Sequence, residues 1–396
     1  MSVQPALAPP QSREEAVERA RSLFPLLRSL ARRADDERHV PAEAMAAFNE
    51  TGLVRILLPK RWGGAELGLT THMEVAIELG RACGSLAWVA SFFIDHPFFV
   101  AQFAEEAQHE VWGNDPDARI ASSFVPAGRV RPASGGWLLS GDWAWASGVA
   151  HANWILLGGL VPKEDGGQPQ LRFFLVPTVA LTIVDTWEAA GLRGTGSDNV
   201  IATDLFVPEH MTVVVETLRD GGTPGTGSNP GHLYRQPFTA WAGHAMVGPA
   251  IGIAYGMLED WQEHIGAKAH SYTEEQSAGL VPVQLVLAEA AVRIDLAEML
   301  LRRSLELVDA GGEITMADRA RNRRDITYAP RLLVQATNDL MQVAGASAIR
   351  DDSPIQRGWR DVRAIACHLI CNFNAAGEHY ARMSLGLPLK PRDPFY

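Results

Sequence analysis

The spacing of apolar residues changes twice along this chain of 396 residues, and that change is the strongest constraint on its fold. Up to about residue 117, apolar residues recur every three or four positions, which is typical of amphipathic helices. Short apolar runs bounded by turn residues follow and indicate strands. Helical spacing returns after a segment rich in Gly, Pro and Ser at 220–231. A chain of this length is longer than a single hydrophobic core usually supports, so we expect two or three subdomains.

We place the domain boundaries at these changes of spacing. The sequence predicts a helical N-terminal domain at 1–117, a β domain at 118–218, a loop at 219–232 and a helical bundle at 233–396. The expected strands are 119–125, 136–142, 154–160, 171–176, 181–185 and 200–207. The expected helices of the last domain are 241–264, 282–308, 315–344 and 356–385.

The stretch Gln236–Leu258 carries no charged residue and is long enough to span a bilayer. Its polar residues, prolines and glycines favour a buried helix of a large bundle instead. Gly248, Gly252 and Gly256 lie on one helical row, which allows a neighbouring backbone to approach closely.

Charge and cysteine usage narrow the functional classes. The formal net charge of -11 repels phosphate backbones and anionic membrane surfaces, so we expect neither a nucleic acid nor a membrane as a partner. Three cysteines in a long chain are typical of a reducing compartment, and we expect a cytoplasmic protein. Cys367 and Cys371 would share a helix face from which His368 is turned away, so we predict no metal site.

The sequence has no motif that supports a Rossmann-type nucleotide site or a phosphate-binding loop. The glycine cluster Gly191–Gly196 has the wrong spacing and precedes a strand. Two histidines, His96 and His368, each interrupt an apolar segment, and Ser147 lies where an aromatic-flanked strand reaches a glycine turn. By residue type alone, a buried structural role is favoured over a catalytic one for each histidine, and the serine fits an ordinary turn.

Three segments in order resemble the acyl-CoA dehydrogenase superfamily: Trp143–Trp154, Gly191–Ser197 and Asp204–Pro208, followed by Gln342–Ala346 and Pro354–Arg363. The resemblance covers nearly the whole chain. It implies an α+β fold with a helical N-terminal domain, a central β-barrel that contacts flavin, and a C-terminal four-helix bundle. It also implies a homotetramer.

The dehydrogenases of this superfamily need a carboxylate base, and the two matching positions, near Trp241 and at 368–370, offer none. Other segments are similar to a sister branch, the two-component flavin-dependent monooxygenases. That branch includes the oxygenase components that hydroxylate p-hydroxyphenylacetate and a bacterial secosteroid phenol. The shared segments are 61–64, 82–85, 110–113, 119–123 and 359–361, together with the His96 region.

The resemblance to this branch implies a role for each matching residue. His96 would be the base that accepts the phenolic proton, Ser122 would hold the phenolic oxygen, Ser147 would lie beside flavin N5, and His368 would face the peroxide. Trp145 would lie near the flavin ring. At the phosphate the chain departs from this branch, which carries arginines after the helix of the glycine row where this chain has Gly266–His270. We expect Lys268 or His270 to contact the flavin phosphate in their place, together with backbone amides of Gln342, Gly345 and Ala346 from a neighbouring subunit.

The implied function is hydroxylation of an aromatic small molecule by reduced FMN or FAD and O2 through a flavin C4a-hydroperoxide. A separate NAD(P)H:flavin reductase would supply the reduced flavin. Three alternatives stay open: oxygenation at nitrogen or sulfur by an enzyme of the same fold, an acyl-CoA dehydrogenase-like flavoprotein, and a flavin-binding scaffold without turnover.

Overall fold

A computed structural model describes residues 6–163, 166–268 and 276–389. Helices form both ends of the chain and strands form the middle, in the order that the apolar spacing predicts. The domain ranges from the sequence extend beyond the described residues at both ends and stay predictions. The N-terminal helices are α1 Arg13–Ser22, α2 Phe24–Glu37, α3 Ala42–Glu50, α4 Leu69–Ala82, α5 Gly84–Val100 and α6 Glu105–Trp112.

Helix α5 is the central element of the N-terminal part. Its residues are apolar on nearly every side, and almost all of them are buried, as expected for a helix without a solvent face. It packs against α4 and against the first strand of the sheet. Pro97 lies inside α5, where it cannot donate the backbone hydrogen bond of a regular helix. The C-terminal turn of α5, which carries His96, therefore depends on contacts from other elements.

Seven strands form one mixed sheet. They are β1 Ile120–Ala133, β2 Gly136–Ala146, β3 Trp154–Val161, β4 Gln170–Pro177, β5 Thr182–Val184, β6 Asp198–Pro208 and β7 Thr212–Val214. Their order is β5-β6-β2-β1-β3-β4-β7, and only the β1 and β3 pair is parallel.

The resemblance implies a β-barrel, and that prediction is wrong because the sheet does not close. The short strands β5 and β7 are the two edges of the sheet, and within the described residues no backbone ladder joins them. Each has only three residues and pairs on one side, β5 with β6 and β7 with β4. The sheet is therefore open, whereas the α+β architecture itself is as predicted.

Long helices form the C-terminal part, after the short α7 Val215–Asp220. They are α8 His244–Gly266, α9 Val281–Asp309, α10 Met316–Ala344, α11 Pro354–Ala366 and α12 Phe373–Ser384. Helix α8 lies at the centre, in contact with α4, α5, α9, α10 and α11. The predicted single helix at 356–385 is wrong, because the chain breaks between α11 and α12. There the side chains of His368 and Asn372 accept the backbone N–H groups of residues 370 and 374.

The glycine row of α8 is confirmed as a site of close backbone approach. A Cβ at Gly252 would collide with the carbonyl oxygen of Ile77, and one at Gly256 would come within 2.5 Å of the carbonyl oxygen of Arg81, both on α4. The uncharged stretch is thus explained by burial between helices. Among the described helices, none combines the length and apolarity needed to cross a bilayer.

Candidate active site

Three aromatic side chains line one face of α5. Trp88, Phe92 and His96 are four residues apart, so the helix places them one above the other. The Trp88 and Phe92 ring centroids are 5.0 Å apart, and those of Phe92 and His96 are 5.3 Å apart and stacked. We call these three residues the α5 row. It connects most of the residues that the sequence singles out.

His96 is held in one tautomer. Its side chain is 1% exposed, and its Nδ1 lies 2.5 Å from the carbonyl oxygen of Ile120 in β1. Because a carbonyl only accepts, Nδ1 carries the proton, and in the neutral ring Nε2 is then an acceptor. This Nε2 is buried and has no partner among the described residues. Burial lowers the pKa of His96 to about 4, so the ring is neutral at pH 7.

Ser122 lies on β1 beside the same histidine. It is two residues after Ile120 and two before Phe124, whose ring centroid is 6.0 Å from that of His96. Because side chains alternate along a strand, Ser122 shares the face of β1 that carries Phe124. Its hydroxyl has no side-chain hydrogen bond within the described residues, whereas the hydroxyl of neighbouring Ser123 donates to the carbonyl of Ala144.

Ser147 is connected to the other end of the α5 row. The indole Nε1–H of Trp88 donates to Ser147 Oγ over 3.0 Å. Ser147 Oγ is also 2.7 Å from Ser197 Oγ, which is 2.7 Å from Thr195 Oγ1. The backbone N–H of Gly148 donates to the carbonyl of Thr195 and ties the two loops together. The glycine cluster before β6 thus contributes to this site, although it is not a nucleotide motif.

His368 reaches the same end of the α5 row from the break between α11 and α12. Its ring centroid is 6.2 Å from that of Trp88. Its Nδ1 accepts the backbone N–H of Ile370, so Nε2 carries the proton in the neutral ring. Desolvation by neighbouring protein atoms lowers the pKa of this imidazole, so the ring is neutral at pH 7, and part of the residue is exposed to solvent. His368 therefore presents an N–H donor to a region open to solvent.

Trp145 is exposed next to Ser147. Its side chain is 64% exposed, and its φ of 66° is in the left-handed region that large residues rarely adopt. Its carbonyl accepts the backbone N–H of Ser147. An exposed indole, a nearby hydroxyl and an N–H donor at His368 together fit the flat, polar-edged ring of a flavin. The buried Nε2 of His96 is an acceptor, as a phenolic O–H donor requires.

Lys268 lies in a second group of residues. Its ammonium donates to the carbonyl of Ala344 over 2.9 Å at the C-terminal end of α10, where a cation is favourable. Gly345 is directly beside it. Gln342 and Ala346 are exposed in the same segment. Within the described residues, which do not include His270, no hydrogen bond, ion pair or ring contact joins this group to the α5 row.

Sequence reasoning missed Trp88, Phe124 and Ser197. Trp88 was detectable, because it is two helical turns before His96 in an apolar helix. Phe124 and Ser197 were not detectable in this way. Their roles depend on contacts between segments that are far apart in sequence.

A buried polar network lies on the other face of α5, and the sequence analysis missed it as well. Ser91 donates to the carbonyl of Ala245, so it accepts from Nε2–H of His72 over 2.9 Å. Nδ1 of His72 then accepts from Nε2–H of His244, also over 2.9 Å. Asp95 Oδ1 lies 3.6 Å from the same nitrogen of His244. The network joins α4, α5 and α8.

Burial sets the charge state of this network. It lowers the pKa of His72 to about 3 and that of His244 well below its usual value, and it raises the pKa of Asp95 to about 8. The potential ligand atoms of these three residues lie within 4.8 Å of one another. However, the 2.9 Å between the two nitrogens is a hydrogen-bond distance. Two nitrogens bound to one tetrahedral zinc would be about 3.3 Å apart.

A cavity of about 920 Å³ opens elsewhere, between α1, α4, α8 and α9. Charged side chains such as Glu74, Arg81 and Arg302 line it, and it includes none of the site residues described above. Its size alone does not make it the active site, because an aromatic substrate needs an apolar wall.

Family models and sequence relatives point to the same family for this chain. The model of the acyl-CoA dehydrogenase N-terminal domain matches residues 14–115, and that of the C-terminal domain matches residues 244–373. The chain is 35% identical to the flavin-dependent monooxygenase oxygenase subunit HsaA of Rhodococcus jostii, over 94% of this chain and 99% of the relative. It is 33% identical to the oxygenase component of an FADH2-dependent resorcinol hydroxylase from a Rhizobium species, over 98% and 97%.

Solved structures agree with the sequence relatives. The crystal structure of 3-HSA hydroxylase from Rhodococcus sp. RHA1 matches with a TM-score of 0.90 at 34% identity, over 96% of this chain and 99% of that chain. Sequence and structure thus agree over almost the full length of the chain. The chain therefore belongs to the oxygenase subunits of flavin-dependent monooxygenases, a family with the acyl-CoA dehydrogenase fold.

Proposed function

We propose that this oxygenase subunit hydroxylates a phenol with reduced flavin as reductant and O2 as oxidant. One oxygen atom enters the aromatic ring, the other leaves as water, and the flavin is oxidised. The observation that carries the proposal is the buried, unpartnered Nε2 of His96, which Ile120 fixes as an acceptor. The relatedness to a resorcinol hydroxylase, whose substrate is a phenol, supports it.

His96 and Ser122 would act on the phenolic group. Nε2 of His96 accepts the phenolic proton, and the Ser122 hydroxyl donates to the oxygen as negative charge develops there. One such charge-assisted hydrogen bond contributes about 1.5–3 kcal/mol. With a pKa of about 4, His96 is too weak a base to ionise a free phenol, whose pKa is about 10. The proton therefore moves as the new C–O bond forms, when the phenol becomes more acidic.

The flavin would lie between Ser147, Trp145 and His368. When bound, reduced flavin supplies two electrons and activates O2 for attack on the ring. Ser147 would contact N5, Trp145 would cover the ring, and Nε2–H of His368 would donate to the activated oxygen. Their separation along the α5 row supports a cofactor region near Trp88 and a phenol region near His96.

The phosphate end of the flavin would lie in a different subunit of a homotetramer. Lys268 and the backbone of Gln342, Gly345 and Ala346 would bind it there. The lack of hydrogen bonds and ring contacts between this group and the α5 row, within the described residues of one chain, supports the arrangement. Both FMN and FAD fit this proposal. A separate NAD(P)H:flavin reductase would supply the reduced flavin, and unpaired thiols at Cys83, Cys367 and Cys371 support a cytoplasmic location.

Replacing His96 by Asn tests the proposal. With a generic flavin reductase and a panel of phenols, followed by product mass, we expect hydroxylation to fall about 100-fold or more, because the base is lost. Part of the rate should return at high pH, where phenols ionise unaided. His210→Asn serves as a control, because His210 pairs with Glu110 away from the α5 row. Unchanged turnover in the His96 variant would favour oxygenation at nitrogen or sulfur instead.

A further inference from the structure

A chain of hydroxyl groups extends inward from Ser147. Ser197 and Thr195 are both buried, and their oxygens follow that of Ser147 at intervals of 2.7 Å. Thr195 Oγ1 then lies 2.9 Å from the carbonyl oxygen of Leu192. At the outer end, the Trp88 indole donates to Ser147.

The two ends of this chain determine its direction. The Leu192 carbonyl cannot donate, so Thr195 gives its proton to it and accepts from Ser197. Each hydroxyl has one proton, so Ser197 must in turn accept from Ser147. The Ser147 proton is thereby directed into the protein, and one of its two lone pairs is occupied by the Trp88 N–H.

The reverse direction is disfavoured by a lone-pair contact. It would leave Thr195 Oγ1 and the Leu192 carbonyl oxygen 2.9 Å apart with no proton between them. The Leu192 carbonyl also accepts from the Trp187 indole, so it would remain hydrogen-bonded in either direction. The contact between the two oxygens, and not an unsatisfied carbonyl, therefore sets the direction.

We propose that Trp88, Ser197 and Thr195 are positioning residues that make Ser147 an acceptor toward the flavin, so that the site binds reduced flavin in preference to oxidised flavin. This inference rests on the proposed position of Ser147 beside N5. Reduced flavin carries a proton on N5, which can donate to the free lone pair of Ser147. Oxidised flavin has a lone pair on N5, which would face another lone pair.

This preference suits an enzyme whose flavin arrives reduced and leaves oxidised. One hydrogen bond gained or lost changes a dissociation constant about tenfold, which is the order of preference expected from this contact alone. The inner hydroxyls set this preference, because they determine whether the Ser147 hydroxyl accepts or donates toward the flavin. Substitutions at Ser197 and Thr195 should therefore change it although neither residue touches the flavin.

Titrations with FAD measure this preference directly. The dissociation constants of oxidised FAD and of anaerobically reduced FAD are compared in the wild type, Ser197→Ala and Thr195→Val. Each variant breaks the chain of hydrogen bonds that directs the Ser147 proton into the protein, so the Ser147 hydroxyl can donate toward the flavin. We expect the ratio of the oxidised to the reduced constant to fall about tenfold in each, equivalent to a decrease of about 30 mV in the two-electron midpoint potential of bound FAD. Thr195→Ser keeps the hydroxyl and should restore the wild-type ratio.

Two controls make the outcomes distinct. Ser123→Ala removes a neighbouring hydroxyl that bonds to Ala144, outside the chain, and should leave the ratio unchanged. Ser147→Ala should weaken binding of reduced FAD. If it changes neither constant, Ser147 does not contact the flavin, and its place in the proposed function fails. If it weakens binding while Ser197→Ala and Thr195→Val keep the wild-type ratio in folded protein, the directional chain is overturned.

Discussion

At the scale of single residues, burial determines which ring atoms can react. The imidazole of His96 is neutral at pH 7 because burial lowers its pKa to about 4, whereas an exposed imidazole titrates near 6.5. The unfolded chain therefore binds a proton that the folded chain does not, between these two values. The contribution of His96 to stability is present above about pH 6.5 and is lost as the pH falls toward 4.

Urea unfolding at pH 7, 6 and 5 measures this contribution. In wild type, His96 should account for a decrease of about 1.4 kcal/mol in unfolding free energy per pH unit below 6. His96→Asn should show a shallower decrease by that amount, because asparagine does not titrate. Equal slopes in wild type and His96→Asn would mean that His96 is protonated in the folded protein.

At the scale of elements, close backbone contact between α4 and α8 fixes the position of α5. His72 on α4 bonds to Ser91 of α5, and His244 on α8 lies close to Asp95 of α5. Both contacts come before Pro97, which interrupts the hydrogen bonding of α5. Gly252 is essential to this contact because its missing Cβ leaves room for the backbone of α4.

Gly252→Ala should lower the unfolding free energy by about 3 kcal/mol, since the added methyl group meets backbone and not a movable side chain. Gly266→Ala is the matched control in the same helix, because no atom of the described residues, apart from the adjacent backbone of its own helix, lies within 4 Å of the position of a Cβ there. It should be neutral or stabilising by up to about 1 kcal/mol. Thermal or urea unfolding compares the two variants, and similar stabilities would contradict the close packing.

At the scale of the whole molecule, one face of α9 is apolar and exposed in the single chain. Its exposed side chains fall within about 60° around the helix by their spacing. They are Val281, Leu285, Val292, Leu296 and Met299. An exposed apolar face of this kind marks an association surface. It supports the proposed homotetramer, in which one subunit completes the flavin site of another.

The double variant Leu285→Glu/Leu296→Glu should dissociate the assembly, because it places charges in the apolar face. Sedimentation velocity should show a smaller species, and FAD binding should weaken at least about tenfold when the phosphate-binding residues of the partner subunit are lost. Val179→Glu is the control, since Val179 is equally apolar and exposed but lies in the β part. A wild-type monomer, or an unchanged assembly in the double variant, would contradict the proposal.

Much of the architecture and the enzyme family could be predicted from the sequence. Periodic spacing predicted the helical ends and the strand-rich middle, and the glycine row predicted the close contact of α8. The ordered motifs identified the family. The single helix at 356–385 was wrong because the His368 and Asn372 side chains end the helical hydrogen bonding, which periodicity does not register. The roles of the individual site residues stay predictions.

Local patterns in the sequence determined which segments became helices or strands, because those choices depend on neighbours a few residues apart. Only the tertiary structure decided that the sheet stays open, that Ile120 fixes the proton of His96 on Nδ1, and that Trp88 and Ser197 meet at Ser147. These outcomes depend on which distant groups pack together. A ring nitrogen or a hydroxyl becomes a donor or an acceptor only through its partner, and that partner is chosen by the fold.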